Sequence, residues 1–240
     1  MRHFSIFLFL LAGITTDLEA QMNYNTAYGV KGGVCLGFQN WNGQTRTALF
    51  VPLANGTFFI EAPLDSLSSF IVEAGYHTRG SSIFQNRFTY LFDGRNIDVP
   101  ATTYNSVFQC AGIQGAFKKN YILQNGVNAY WLFGVRLEYV FKDSIAFHSE
   151  LPIRKENISK FLYGVTIGGG IEKRYPNSPI ILQLELQGQP DVARQIEQPA
   201  AAYFNRFTQT NEVFGEQRVI NFTTELTLGI KYALFDDPDE

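Results

Sequence analysis

The chain has 240 residues and a formal net charge of −3; 17% of its side chains are charged and 15% are aromatic. This length fits one domain or a small pair of domains. Nucleic-acid binding is not favoured, because it requires a basic patch that meets the phosphates. Few charges together with many aromatic side chains are typical of a chain whose residues alternate between lipid and a polar interior.

The first 20 residues have the pattern of a secretory signal peptide. Arg2 and His3 form a short basic start, residues 4–14 are apolar, and Leu18-Glu19-Ala20 resembles a cleavage site. The apolar stretch is shorter than the about 20 residues that a spanning helix needs. We therefore expect residues 1–20 to be removed rather than kept as an anchor. Because Gln21 is not a cysteine, a lipoprotein is not expected.

Eight segments alternate apolar and polar residues with the period of two that β-strands require. In the clearest one, Ile180–Gln189, the leucines share one face, and Gln183 and Glu185 lie on the other. The predicted strands cover residues 28–41, 49–63, 70–79, 104–118, 129–141, 163–174, 180–189 and 221–232. They are longer than the about five or six residues common in globular strands and match the about 9–11 needed to cross a bilayer.

The connections between these strands alternate in length. Short ones lie at 63–68, 124–126 and 176–179, and long ones at about 80–103, 142–160 and 190–217. Short periplasmic turns and long external loops are typical of outer-membrane barrels. Aromatic residues also gather at strand ends, as interfacial girdles do; they are Tyr28, Trp41, Tyr76, Trp131, Tyr139, Tyr163, Tyr175 and Tyr232.

The predicted fold is therefore all-β: a transmembrane antiparallel up-and-down β-barrel of about eight strands. It occupies residues 21–235, and the acidic tail 236–240 lies in the periplasm. The alternative is a soluble β-sandwich or a lipocalin-like barrel. That alternative is disfavoured because the polar faces of the strands lack the dense charge of a solvated surface.

The polar faces collect charges of both signs. Assigned to the interior are Lys31, Glu61, Glu73, Arg79, Arg136, Glu138, Glu172, Glu185, Glu225 and Lys231. An eight-stranded barrel is just wide enough for its side chains to fill it, and buried charges must pair. We expect a structural plug of ion pairs, and the alternative is a narrow path for ions or solutes.

Catalytic candidates are few. His148-Ser149-Glu150 has residue types that a hydrolase needs, but adjacent residues on a strand point apart. His77 and Ser81 lie near a predicted external strand end. Cys35 and Cys110 lack the spacing of a metal site, and whether they bond to each other is open. The sequence predicts no catalytic residue, no cofactor and no metal, and a lipid-modifying enzyme stays as an alternative.

Two long loops are rich in aromatic residues. The candidates for contact with a partner are Phe84, Phe88, Tyr90, Phe92, Tyr203 and Phe204. Exposed apolar clusters often mark a protein or membrane contact. The alternative is that these loops pack on each other above the barrel. A short helix is expected over residues 200–204.

Three short motifs resemble the PorT-like outer-membrane β-barrel domain family. They are Tyr28-Gly29-Val30-Lys31-Gly32-Gly33, then Val72-Glu73-Ala74-Gly75-Tyr76 followed by Arg79-Gly80, and Leu228-Gly229-Ile230-Lys231-Tyr232. Residues 107–121 depart from the strand that this family usually shows in the middle. The resemblance implies an eight-stranded barrel without known catalytic residues, some of whose relatives serve type IX secretion or accompany other large outer-membrane complexes.

The predicted function is therefore that of a non-enzymatic accessory or scaffold subunit of a larger outer-membrane complex for secretion, assembly or transport. The expected location is the cell outer membrane, and the expected contacts are outer-membrane lipid and other outer-membrane or periplasmic proteins. A lipid-modifying enzyme and a small pore are the alternatives.

Overall fold

The computed structural model describes residues 26–41, 48–49, 52–85, 87–92, 95–145, 155–176, 178–205, 209–214 and 216–233. The predicted signal peptide, the acidic tail and the His148-Ser149-Glu150 triplet lie outside these residues. The strands of the described part are β1 (Ala27–Trp41), β2 (Ala48–Leu49), β3 (Pro52–Pro63), β4 (Ser68–Gln85), β5 (Phe88–Phe92), β6 (Arg95–Val99), β7 (Thr102–Ile122), β8 (Val127–Ile145), β9 (Phe161–Arg174), β10 (Ile180–Pro190), β11 (Ile196–Gln198), β12 (Ala201–Asn205), β13 (Thr210–Phe214) and β14 (Gln217–Ala233). A short 3₁₀ helix covers Lys155–Asn157. No helix in these ranges is long and apolar enough to cross a membrane.

Eight of the strands form a closed antiparallel barrel in the order β1-β3-β4-β7-β8-β9-β10-β14. Strand β14 pairs back with β1, from Ala27 opposite Ala233 to Trp41 opposite Val219. Closure gives every barrel strand a hydrogen-bonded neighbour on both sides. A sheet that spans a bilayer needs this, because lipid offers no hydrogen bonds to free backbone groups. The eight predicted strands are confirmed, and β4, β7 and β8 extend several residues beyond their predicted ends.

Side-chain polarity is inverted relative to a soluble protein. Along β10, Ile180, Leu182, Leu184 and Leu186 are exposed on the outside of the barrel, whereas the glutamine and glutamate residues between them are buried inside. The same outer face carries Leu228, which is 69% exposed. An apolar outside around a polar interior is the pattern of a transmembrane barrel.

One end of the barrel, the short-turn end, is built from tight connections. The Asp65 carboxylate accepts the backbone N–H groups of Leu67 and Ser68, both at 2.7 Å, an arrangement typical of a turn that begins with Asp. Asn125 and Gly126 both have positive φ, as the hairpin between β7 and β8 requires.

The opposite end, the long-loop end, carries two extra hairpins. Strand β5 pairs with β6, and β12 pairs with β13. Residues 201–205 therefore form a strand, and the expected short helix at 200–204 is wrong. The segment contains two alanines, but its backbone pairs with Thr210–Phe214, and this tertiary pairing overrides the local helix preference.

Candidate functional site

The barrel interior is the candidate functional site because it concentrates the buried charges. The structure places all ten charged side chains of the predicted set inside the barrel, each at most 7% exposed. Lys118, Asp191 and His77 are buried there as well. These side chains form four clusters that follow one another along the barrel axis.

The first cluster lies at the short-turn end and contains two lysines and two glutamates. Lys118 Nζ donates to both oxygens of Glu61 at 3.1 Å and also to Glu172. Lys231 Nζ donates to Glu61 at 2.8 Å and to both oxygens of Glu172 at 2.9 Å. Each lysine thus bridges both carboxylates, and the charges within the cluster balance.

A cavity of about 190 Å³ lies beside this cluster. Its lining combines Glu61, Glu172 and Lys231 with turn residues such as Ser68 and with Asn120. The buried Asn120 Oδ1 has no hydrogen-bond partner within the part of the chain that the structure describes. The first cluster is therefore the one that a small polar solute can approach from the short-turn end.

The second cluster lies deeper and places one lysine between two glutamates. Lys31 Nζ donates to Glu73 at 2.6 Å and also to Glu185. The Tyr130 hydroxyl donates to the other Glu185 oxygen at 2.8 Å, and Gln187 donates to Glu185 at 2.7 Å. These donors stabilise Glu185, but the cluster retains more negative than positive charge.

The third cluster is centred on Glu225. His77 Nδ1 lies 3.0 Å from Glu225 Oε1, and Asn55 Nδ2 donates to Glu225 Oε2 at 2.8 Å. Ser81 donates instead to Gln39 at 2.8 Å, so His77 and Ser81 have different hydrogen-bond partners.

The two cysteines do not form a disulfide. Cys35 and Cys110 are both free thiols, and both are buried.

The fourth cluster uses arginine. Arg79 makes a two-pronged contact with Glu138 and donates to Thr223 and Gln189, both at 2.7 Å. Arg136 contacts Asp191 and donates to the Val165 carbonyl at 2.8 Å. The planar guanidinium suits such fixed, multiple contacts.

A short segment folds inward over the fourth cluster, and we name residues 191–198 the strap. Asn221 donates to the Asp191 carboxylate and to the Gln195 side-chain oxygen, both at 3.0 Å. Ile196 of the strap pairs with Val219 of β14. It packs into an apolar cluster with Phe108, Cys110, Val140, Leu162, Ala193 and Val219. The strap therefore covers the lumen at the long-loop end.

Sequence reasoning missed two members of the charged set. Lys118 is the last residue of the strand predicted at 104–118, and it was not assigned to the interior. Gln114 and Ala116, four and two residues earlier, are buried and lie on the same face, so the alternation could have predicted its inward orientation. Asp191 lies in a connection that was predicted as an external loop. No local pattern indicates that this loop returns into the barrel, because its contacts come from residues far away in sequence.

The aromatic partner-contact candidates lie at the long-loop end. Phe84 lies near the C-terminal end of β4. Phe88, Tyr90 and Phe92 lie in β5, and Tyr203 and Phe204 lie in β12. Only their backbone positions are described.

No family model matches the chain, and no curated protein matches it. Among solved structures, it is similar to Neisserial surface protein A at 10% identity and a TM-score of 0.45, over 86% of this chain and 97% of that one. It is similar to the outer membrane protein OprG from Pseudomonas aeruginosa at 9% identity and a TM-score of 0.45, over 86% and 95%. It is also similar to the outer membrane protease OmpT from Escherichia coli at 9% identity and a TM-score of 0.45, over 88% and 97%. The barrel assignment rests on the strand pairings described above.

Proposed function

We propose that this protein is a non-enzymatic accessory or scaffold subunit of a larger complex in the outer membrane of a Gram-negative cell. The short-turn end faces the periplasm and the long-loop end faces outward, as in barrels of this kind. The exposed apolar belt supports the membrane location, because a polar interior inside an apolar outer surface is the pattern of a barrel in lipid.

The observation that carries the proposal is the filled interior. Four successive clusters of hydrogen-bonded charges occupy the lumen, and the strap covers it at the long-loop end. A lumen used for bulk flow would need an open, water-lined path. The interior serves to hold the barrel together, and the contacts that perform the function lie on the outer surfaces.

The long-loop end offers the larger surface for such contacts. Strands β4, β7 and β8 have 18, 21 and 19 residues, compared with the about 9–11 that cross a bilayer. They continue past the lipid as a wall on one side of the barrel, and β4 and β7 lead into the β5–β6 hairpin. The other hairpin, β12–β13, lies in the chain between β10 and β14, on the opposite side of the barrel. We assign the partner contact to this wall and its hairpin.

The resemblance to the PorT-like family supports a complex of the secretion, assembly or transport kind, with type IX secretion as the specific candidate. This assignment fits two features of the chain. Its buried ion pairs stabilise the barrel, and its strands extend furthest at the long-loop end.

The test is affinity purification of the tagged protein from outer membranes in mild detergent, followed by mass spectrometry. Gln85 and Thr102 are paired across β4 and β7, so a two-residue turn can replace residues 86–101 without disturbing the barrel. We expect a stoichiometric set of envelope proteins with the unmodified chain and its loss with this shortened variant.

The matched control shortens the other hairpin, residues 201–214, in the same way. Heat-modifiable migration on gels verifies that both variants still form barrels. Recovery of a lone barrel from the unmodified chain would refute the scaffold function. Reproducible single-channel steps in planar bilayers would favour a pore instead.

A further inference from the structure

At the long-loop end, the apolar belt of the barrel finishes in a group of aromatic side chains that we name the aromatic shelf. Its members are Tyr76 of β4, Tyr139 and Phe141 of β8, and Phe161 of β9, and each is at least 37% exposed on the outer face. The ring centroids of Tyr139 and Phe161 are 5.2 Å apart, and those of Tyr76 and Phe141 are 6.2 Å apart. Aromatic side chains in this position mark the border between hydrocarbon and lipid headgroups.

A β-bulge directs a lysine to the edge of this shelf. Along the β7–β8 ladder, Cys110 is opposite Val140 but Gln109 is opposite Lys142, so Phe141 is an extra residue. Cys110 and Val140 are buried inside the barrel, and the next pair in the ladder therefore faces outward. In a regular strand, Phe141 would take that outward position and Lys142 would point inward. Bulges re-aim side chains in this way, and here the bulge puts an aromatic ring and an ammonium side by side.

Lys160 adds a second positive charge beside the first. The Val140 N–H donates to the Lys160 carbonyl at 2.7 Å, which places Lys160 next to the bulge, and both lysine side chains are exposed. Asp143 lies on the other face of β8, since it is paired with Phe108, whose side chain is buried. No carboxylate faces outward in the described parts of β7, β8 and β9. The edge of the shelf is therefore positively charged.

The lysines at the opposite edge of the belt already have protein partners. Lys119 of β7 donates to Ser68 Oγ at 2.8 Å and lies 3.9 Å from Asp65. Lys173 of β9 donates to the Asn125 carbonyl. By contrast, the two lysines beside the bulge make no hydrogen bond or ion pair within the ranges that the structure describes. Two ammonium groups at the border of the lipid are thus available to an anion from outside the barrel.

We propose that Lys142, Lys160 and the aromatic shelf bind an anionic lipid of the outer leaflet whose headgroup carries a phosphate monoester. Lysine extends its methylene stem along apolar surface and keeps its ammonium at headgroup level, where it pairs with phosphate oxygens. The shelf contacts the acyl chains of the same lipid. An acidic protein segment would have to displace the headgroups that border the belt. The site rests on the orientation proposed above, with the long-loop end outward, and not on the partner complex.

The test is a binding titration of the purified full-length barrel in neutral detergent, followed by native mass spectrometry. The probes are dioleoyl phosphatidic acid and dioleoylglycerol, which has the same acyl chains but no phosphate. Each lysine near a charged headgroup contributes about 1 kcal/mol, so dioleoylglycerol should bind about thirtyfold more weakly. Equal binding of the two lipids would overturn the proposal, because it would assign the contact to the acyl chains alone.

Matched variants locate the site. We expect Lys142→Gln to weaken binding of phosphatidic acid about fivefold, and the double variant Lys142→Gln/Lys160→Gln about thirtyfold. The control is Lys119→Gln/Lys173→Gln, which removes the same charge at the opposite edge of the belt and should leave the affinity unchanged. Heat-modifiable migration on gels verifies that all variants are folded. Equal weakening by the two double variants would overturn the site, because it would show that only net charge matters.

A second readout reports on each lysine separately. Reductive dimethylation with ¹³C-formaldehyde keeps the positive charge and gives every lysine an NMR signal, which the variants assign. Phosphatidic acid should shift the signals of Lys142 and Lys160 and leave those of Lys119 and Lys173 in place. Shifts of the Lys119 and Lys173 signals alone would overturn the proposal. Because these samples contain only the barrel and lipid, a negative result leaves the proposed accessory function untouched.

Discussion

Each end of the lumen contains two carboxylates and two basic side chains, but the bases are lysines at one end and arginines at the other. At the short-turn end, two lysines face Glu61 and Glu172 next to a cavity. At the long-loop end, two arginines face Glu138 and Asp191 beneath the strap and the apolar cluster around Ile196.

The difference in base follows the difference in closure. Where the strap and the apolar cluster exclude water, donors depend on fixed acceptors, and the Arg79 guanidinium finds them in Glu138, Thr223 and Gln189. Next to a cavity, water can complete the shell of a lysine ammonium, a compact charge with rotatable donors. The environment of an ion pair, rather than the number of charges in it, therefore determines what its loss costs.

The strongest test of this comparison is Arg79→Ala. The substitution leaves Glu138 buried with a weaker partner and removes the donors to Thr223 and Gln189. We expect the free energy of unfolding to fall by about 3–5 kcal/mol. Equilibrium urea unfolding of the barrel refolded into lipid vesicles measures it. Arg79→Lys should recover only part of the loss, because an ammonium cannot make the two-pronged contact. A loss as small as that of an exposed pair, below about 1 kcal/mol, would contradict the account.

The corresponding change at the other end, Lys118→Ala, should cost less. Lys231 still donates to both Glu61 and Glu172, and the neighbouring cavity can admit water to the freed oxygens. We expect the free energy of unfolding to fall by about 1–3 kcal/mol in the same urea experiment. A loss equal to that of Arg79→Ala would show that closure of the lumen end does not determine how much the loss of an ion pair costs.

The strap provides a kinetic test of the long-loop end. Asp191→Asn removes the charge that holds the strap to Arg136. Arg194, whose side chain is 41% exposed, then becomes easier to cleave. We expect trypsin to cut after Arg194 about tenfold faster, as follows from the loss of one charge-assisted contact. Asp98→Asn, on the distant β5–β6 hairpin, is the control and should leave the rate unchanged. An unchanged rate in Asp191→Asn would mean that the apolar cluster alone holds the strap.

The smallest effect belongs to the short-turn end, outside the lumen. The backbone N–H of Leu67, the hydroxyl of Ser68 and the backbone N–H of Ser68 hold the pKa of the exposed Asp65 carboxyl below its ordinary value of 3.8. Since the pKa is lower in the folded state, the stabilisation is complete well above pH 3.8 and is lost as the pH falls through the lowered value. An NMR titration of the Asp65 carboxyl should show this lowered midpoint. Ser68→Ala should move the midpoint part of the way back toward 3.8, because it removes the Ser68 hydroxyl but keeps the backbone N–H groups of Leu67 and Ser68. An ordinary midpoint in the unmodified chain would contradict the turn geometry.

The alternation of residues was enough to predict much of the fold. A strand period of two places Gln183 and Glu185 on one face whatever the neighbouring strands are, so the inward orientation of the charged set could be predicted one strand at a time. The segment 200–204 shows the limit of this reasoning. Its local preference favoured a helix, but pairing with Thr210–Phe214 makes it a strand.

By itself, the sequence determined the eight strands, their two faces and the ten charges that point inward, because each depends only on the parity of neighbouring residues. Only the tertiary structure decided which charges meet. The pairing of Arg79 with Glu138, the sharing of Lys31 by two glutamates and the return of Asp191 into the lumen depend on register between strands. Register is set by closure of the whole barrel, and that information is distributed over residues far apart in the chain.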